Sequence, residues 1–184
     1  MGQAIVPPVR CFVAVWPPEA VLDALSQLSR PPVAGLRWST RDQWHVTLRF
    51  FGELGTPEVE TTTRALAGVG AALGSGVPVQ GGPSTTLLRP GLIVWPVAGL
   101  QALATAVTKV TAGIGQATPD RPFSGHLTIA RGSVRSSAAR HLLQPLSAEW
   151  TVGSFSLVQS ELHPQGARYR VMQLFSLGGA VPLS

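Results

Sequence analysis

The chain carries one short phrase twice, His45-Val46-Thr47-Leu48 and His126-Leu127-Thr128-Ile129, with the two histidines 81 positions apart (126 − 45). A histidine, an apolar residue, a threonine and a second apolar residue make a period-two pattern, and successive side chains of a β-strand point to opposite faces. Each phrase therefore predicts a strand that buries Val46 and Leu48, or Leu127 and Ile129, while presenting one imidazole and one hydroxyl on its other face. The chain has only four histidines, and two of them stand in these matched contexts near the middle of the two halves. A lone His-x-Thr in a strand is commonly a satisfied polar pair. Two copies are what a bilobal architecture would set on either side of a shared cleft.

The surrounding pattern supports such an architecture. Arg10–Trp16 reads as a strand closed by Pro17-Pro18, and Glu19–Arg30 as a helix with apolar residues at Ala20, Val21, Ala24, Leu25 and Leu28. After the first phrase, Thr56 and Pro57 open a second helix to about Leu73, with the threonine as its cap. Strands follow at Ser84–Leu88 and Leu92–Val97, joined through Arg89-Pro90-Gly91, then a helix at Leu100–Ile114. The second phrase lies in Ser124–Arg131, a helical segment in Arg135–Leu146, and closing strands near Trp150–Leu162 and Arg168–Leu177. This order predicts an α+β fold: two mostly antiparallel sheets related by a pseudo-twofold, helices on the outer faces and a central cleft. No low-complexity linker divides the halves, so residues 1–9 read as an N-terminal extension and 10–184 as a single bilobal domain.

Composition narrows the class. With 184 residues, 45% of them apolar and 12% charged, the chain can bury a substantial core. Its net charge of +5 comes from 14 basic and 9 acidic residues, and 13 of the basic residues are arginine, which favours planar contact with phosphate or carboxylate. A GC-rich genome would also raise arginine, together with Ala, Gly, Pro and Val. The single cysteine, Cys11, excludes an internal disulfide and a cysteine-cluster metal site, and inside the apolar run Arg10–Trp16 it reads as a small buried hydrophobe. No segment approaches the roughly 18 apolar residues of a membrane span, and no basic-then-apolar leader opens the chain. A soluble, cytoplasmic monomer without membrane contact is expected.

An imidazole, with an ordinary pKa near about 6.5, can serve as base or acid around neutral pH, and a pair can hold one of each. In-line displacement at phosphorus needs such a pair on opposite sides of the reacting atom. Thr47, Thr128 and an arginine could donate hydrogen bonds to the non-bridging oxygens without a metal. Zinc is disfavoured because no close His, Asp or Glu flanks either phrase, and no G-x-S-x-G elbow points to a serine hydrolase. His141, in a helical stretch, and His163, before Pro164, read as surface residues.

The segments Trp44–Glu53 (WHVTLRFFGE) and Phe123–Arg131 (FSGHLTIAR) resemble the paired signatures of the two-histidine phosphoesterase superfamily. With the opening RCFVAVWPP, the LIVWPV strand and the closing SELHPQGARYRV, the resemblance extends over about residues 10–177 and is nearest to the bacterial RNA 2′,3′-cyclic phosphodiesterase branch, formerly called 2′-5′ RNA ligase. It implies an RNA-processing hydrolase that opens cyclic phosphates on RNA ends or small nucleotides to 2′-phosphates, without cofactor, with 2′-5′ ligation as a side activity. It further implies His45 and His126 as catalytic, with His126 activating water and His45 protonating the departing 3′ oxygen, and Thr47 and Thr128 as phosphate-binding. Arg131 matches an arginine that faces the phosphate, although strict alternation puts it opposite His126 unless a bulge redirects it. Arg49, on the same alternation as His45 and Thr47, is expected in the cleft or at its rim. Phe12 and Tyr169 are candidates to line a nucleoside pocket by stacking. Gly125 replaces the usual proline before the second histidine, which predicts a looser strand entry. Another cyclic or 2′-5′ linked nucleotide, such as a 2′-5′ oligoadenylate or ADP-ribose cyclic phosphate, would suit the same motifs. A non-catalytic RNA-binding module is the alternative of another class. Arg37, Arg41, Arg89, Arg121 and Arg135 are scattered through the sequence without a common surface.

Overall fold

Both His/Thr phrases become strands of one antiparallel sheet in the computed structural model, which describes residues 7–163 and 166–178. In chain order the elements are β1 (Val9–Val15), α1 (Glu19–Ser26), β2 (Leu36–Trp38), β3 (Val46–Leu54), α2 (Thr56–Leu66), α3 (Val69–Ala72), β4 (Val77–Gly81) and β5 (Thr86–Arg89). There follow β6 (Leu92–Ala98), α4 (Gln101–Val110), β7 (His126–Gly132), α5 (Ser136–Arg140), β8 (Ala148–Val152), β9 (Ser154–Glu161) and β10 (Arg168–Ser176). Of the expected N-terminal extension, residues 1–6 lie outside the described residues, and Val9 already belongs to β1.

The strands run β10-β9-β1-β3-β7-β6-β4-β8, with β2 on β7 and β5 on β6. The fold is α+β, as expected, but the two expected sheets are joined into a single ten-stranded sheet. The join is narrow: β3 and β7 are in register at Val46↔Leu127 alone. Beyond that point β3 follows β1, while β7 takes β2 as its neighbour through Leu36↔Gly132 to Trp38↔Ala130.

Helices cover one face of this sheet because the apolar halves of the two phrases point there. Val46, Leu48, Leu127 and Ile129 share a buried cluster with Val21 and Leu25 of α1, Leu66 of α2, and Leu103, Ala104 and Val107 of α4. The other face carries the polar halves and a small aromatic group, in which Phe12, Ala14 and Val158 pack with Trp16, Phe50 and Tyr169. No helix among the described residues is long and apolar enough to cross a membrane.

Local departures from the sequence reading have local causes. The long second helix breaks near Gly68 into α2 and α3. Its cap is Gly55 rather than Thr56, and the Gly55 N–H donates to the Glu58 carboxylate at 2.9 Å. The closing strand region splits at Gly153 into β8 and β9. Strand β4 reads as punctuation because it contains Pro78 and Gly81, yet it pairs with β8 along its whole length. Glycine is required at position 81, where the Trp95 ring occupies the space a Cβ would need. Gly125 does not loosen its strand: it lies against the Val97 carbonyl with no room for a Cβ, and its own carbonyl accepts from the Val97 N–H at 2.9 Å.

Both phrase strands carry a bulge at the same offset. Against β1, Arg49 pairs with Val13 and Thr47 with Ala14, leaving Leu48 as the extra residue. Against β6, Ala130 pairs with Ile93 and Thr128 with Val94, leaving Ile129 extra. Leu48 and Ile129 each stand three positions after the histidine, so the alternation inverts there, and on β3 a second irregularity at Phe51 inverts it again. This overturns the placement of Arg49 in the cleft. Its side chain is only 5% exposed and enters the helix-covered face. There it donates to the Thr108 carbonyl (3.1 Å), the Thr111 hydroxyl (2.8 Å) and the Ile114 carbonyl (2.9 Å), with the Phe51 ring 4.9 Å from the guanidinium carbon. Burial without a carboxylate pulls its pKa below the ordinary arginine value. A buried cation held by carbonyls at the end of α4 is a structural tie between helix and strand.

Replacing Arg49 by alanine leaves those carbonyls unpartnered and opens a cavity, so unfolding free energy should fall by about 2–4 kcal/mol in denaturant titration. Arg121→Ala, at an exposed position, should stay within about 0.5 kcal/mol. Equal effects of the two changes would return Arg49 to solvent.

Candidate active site

The narrow seam between β3 and β7 creates the site. Val46 and Leu127, in register and both 0% exposed, point into the core. Their neighbours must therefore point to the opposite face. Extending the antiparallel register by one residue each way sets His45 across from Thr128 and Thr47 across from His126. Two imidazoles and two hydroxyls, all partly buried, thus form a two-by-two array.

Both imidazoles are held alike. His45 Nδ1 donates to the carbonyl of Gln43 at 2.8 Å, and His126 Nδ1 donates to the carbonyl of Ser124 at 2.9 Å. A carbonyl can only accept, so each Nδ1 carries a proton and each Nε2 is left as the atom that gains or loses one. In both cases the acceptor is two residues upstream. Gln43 also binds through its side chain, donating to the Ala167 carbonyl at 2.9 Å and accepting from the Thr40 N–H at 3.2 Å. It thereby ties the turn before His45 to the segment leading into Tyr169. Nothing in the sequence pattern singled out Gln43.

His45 stands in an aromatic enclosure. Ring centroids of Phe12, Tyr169 and Trp16 lie 4.8, 4.9 and 5.4 Å from its own, with Tyr169 edge-on at 81°. Desolvation lowers its pKa from 6.5 to about 4; the hydrogen bond to Gln43 opposes this, and the charges of Arg131 and His126 add to it. The imidazole is therefore neutral at pH 7 in the free protein. Phe12, expected to stack on a nucleoside, is only 3% exposed, because its ring is spent against His45 and Tyr169. Tyr169 remains partly open at the edge of the group. Trp16 went unremarked in the sequence, although the spacing Phe12, Ala14, Trp16 puts it on the same face of the chain as Phe12.

Arg131 does reach the histidine face, since the bulge at Ile129 turns it there. It is exposed, and Nη2 donates to the Thr128 hydroxyl at 3.4 Å. The corresponding position on the other strand, five residues after the histidine, is Phe50, whose ring joins the aromatic group under the Arg10 guanidinium at 4.5 Å. Cys11 is fully buried, 3.8 Å from the Met172 sulfur, and burial pushes its thiol up to about 11, so it is inert packing. His141 and His163 are exposed. Among the described residues no three His, Cys, Asp or Glu side chains gather into a metal-binding group.

The depressed pKa of His45 carries a stability consequence. An unfolded histidine takes up its proton near about pH 6.5 and the folded one only near pH 4. Between these values the unfolded state binds more protons. The contribution is complete above about pH 6.5 and disappears as pH falls toward 4. Imidazole titration by NMR should place the His45 midpoint near 4, and His45→Gln should flatten the stability loss across that window. A midpoint at the ordinary histidine value would show that the aromatic enclosure is open to water.

Known proteins share this arrangement of sequence and fold. Residues 15–73, which include the first phrase, match the family model described as LigT like Phosphoesterase. A relative from Thermus thermophilus, named RNA 2′,3′-cyclic phosphodiesterase, is 32% identical over 192 aligned positions, covering 93% of this chain and 91% of the relative. The crystal structure of TT0787 of Thermus thermophilus has a TM-score of 0.77 at 26% identity, covering 93% of this chain and 100% of that one. E. coli LigT complexed with 3′-AMP shares the fold with a TM-score of 0.73 at 23% identity, over 92% of this chain and 98% of its own. With a relative of that identity aligned along nearly its whole length, this chain belongs to the LigT-like phosphoesterase family.

Proposed function

We propose that the protein hydrolyses 2′,3′-cyclic phosphates at RNA ends or on nucleotides to 2′-phosphates, by acid–base catalysis that needs no metal. One observation carries this reading: two imidazoles, each fixed through Nδ1 with its Nε2 free, flank a pair of threonine hydroxyls on one face of the sheet. The name of the Thermus relative and the 3′-AMP complex of E. coli LigT support the same substrate class. Joining RNA ends through a 2′-5′ bond would be a side activity of the same pair. Because β3 and β7 come from opposite halves of the chain, neither half alone holds the site, which supports residues 10–184 as the functional unit.

The proposed step balances on the pair. The cyclic phosphate docks with its non-bridging oxygens on the Thr47 and Thr128 hydroxyls and the Arg131 guanidinium, donors that strengthen as charge builds on phosphorus. Water attacks phosphorus and passes a proton to Nε2 of His126. The bond from phosphorus to the 3′ oxygen breaks, and that oxygen takes the proton from Nε2 of His45. The product is a 2′-phosphate with a free 3′-hydroxyl, and the pair holds one proton before and after, in exchanged positions. His45 is neutral in the free protein, so the acid role requires recharging it. The phosphate's negative charge favours the imidazolium and offsets the charges of Arg131 and His126 that oppose it.

With excess EDTA present, the purified protein should convert 2′,3′-cyclic nucleotides to 2′-phosphates, and His45→Ala and His126→Ala should each lower kcat about 10²–10⁴-fold. Formation of 3′-phosphate, or loss of turnover in EDTA, would overturn the mechanism. The pH dependence should be bell-shaped, because only the singly protonated pair is competent. The acid limb of kcat/KM should fall near the depressed His45 pKa of about 4, and that of kcat at higher pH, where bound phosphate supports the imidazolium. A profile flat from about pH 4 to 9 would remove the histidine pair from the chemistry.

A further inference from the structure

Strand β2 is three residues long, and its alternation sends Leu36 and Trp38 against the core and Arg37 to the exposed side. In the β2·β7 register Arg37 stands directly opposite Arg131. Two guanidinium groups therefore rise from neighbouring strands whose backbones are about 4.8 Å apart. Like charges opposed across a sheet destabilise it unless an anion lies between or beside them. Neither arginine of the pair makes an ion pair, since the ion pairs among the described residues run from Arg41 to Glu19 and Asp23. The field of the pair extends over Tyr169, whose hydroxyl pKa burial raises, with Asp42 adding to that rise and Arg131, Arg37 and Arg10 acting against it.

The Arg37 head is also set in place. A Cβ on Gly166 would come within 2.5 Å of Arg37 Nη1 and 2.7 Å of Gln43 Nε2, so the glycine backbone lies directly against the guanidinium. Gln43 holds the adjacent Ala167 carbonyl. Along β7 the face thus runs from the histidines and threonines to Arg131, and Arg37 stands beside Arg131 on β2, which follows β3 along the same edge of β7, with the charges of both arginines acting on Tyr169.

We propose that Arg37 binds the second phosphate of the substrate, the phosphodiester on the 5′ side of the nucleoside that carries the cyclic phosphate, and so makes the protein select RNA ends over mononucleotides. The inference rests on the proposed cyclic-phosphate reaction. In that reaction Arg131, through Thr128, belongs to the reacting phosphate. A mononucleoside cyclic phosphate carries one anion and leaves Arg37 unanswered. An RNA end carries a second anion one nucleotide away, with the intervening nucleoside beside Tyr169.

The test compares a nucleoside 2′,3′-cyclic phosphate with a dinucleotide that ends in the same cyclic nucleoside, for wild type, Arg37→Met, Arg37→Lys and His45→Ala. Wild type should prefer the dinucleotide. Arg37→Met should reduce the dinucleotide-to-mononucleotide ratio of kcat/KM about tenfold, mainly through KM, and lower the salt slope for the dinucleotide by about one contact. Arg37→Lys, which keeps a point charge, should restore part of the ratio. An unchanged ratio in Arg37→Met, or no dinucleotide preference in wild type, would overturn the inference, while mononucleotide turnover lost in His45→Ala would leave the proposed function standing. If wild type opened neither substrate, both would fall.

Discussion

The contact on which the molecule depends is the single in-register pair Val46↔Leu127. Nearly all other strand pairing lies within one half or the other, from β10 to β3 and from β7 to β8. At this seam two edge strands meet over one residue pair, and burial of both side chains fixes which way their neighbours face. A slip of one residue on either strand would turn its histidine and threonine into the apolar core, an outcome the desolvation of two polar side chains makes unfavourable. The requirement that Val46 and Leu127 stay dry therefore aligns the imidazoles with the hydroxyls.

A second constraint is the bulge three residues after each histidine. Before it, strict alternation holds. After it, the side chain five positions beyond the histidine returns to the polar face. On β7 that residue is Arg131, which brings a cation to the threonines; on β3 it is Phe50, which helps build the aromatic wall. The residue four positions beyond is buried in both strands, harmlessly as Ala130 and with three acceptors on its terminal nitrogens as Arg49, whose Nε stays unpartnered. One irregularity in pairing thus divides two arginines of similar sequence context into a candidate site residue and a strut.

The electrostatics of the face are uneven by construction. Aromatic rings desolvate His45 from one side, the charges of Arg131 and His126 add to that effect, and Arg37 stands opposite Arg131 on the neighbouring strand. The free protein disfavours charge on His45, and an incoming anion would act against that preference. Gln43 couples the parts mechanically, with its carbonyl on His45 and its amide on the segment that lies against Arg37 and leads into Tyr169.

What the sequence by itself determined was the content of the candidate site and its polarity: His45, Thr47, His126 and Thr128 share a face because the side-chain period of a strand is two, and Val46 and Leu127 must turn inward. The α+β class and most strands and helices were legible for the same reason, since hydrophobic period reports local geometry. Only the tertiary structure decided the direction of Arg49 and Arg131, the burial of Phe12, the parts played by Gln43 and Trp16, and the pairing of Arg37 with Arg131. A bulge is defined by two residues opposing one on a neighbouring strand. A desolvated ring is defined by what packs over it. Both are relations between segments distant in the chain, and no periodicity within one segment encodes them.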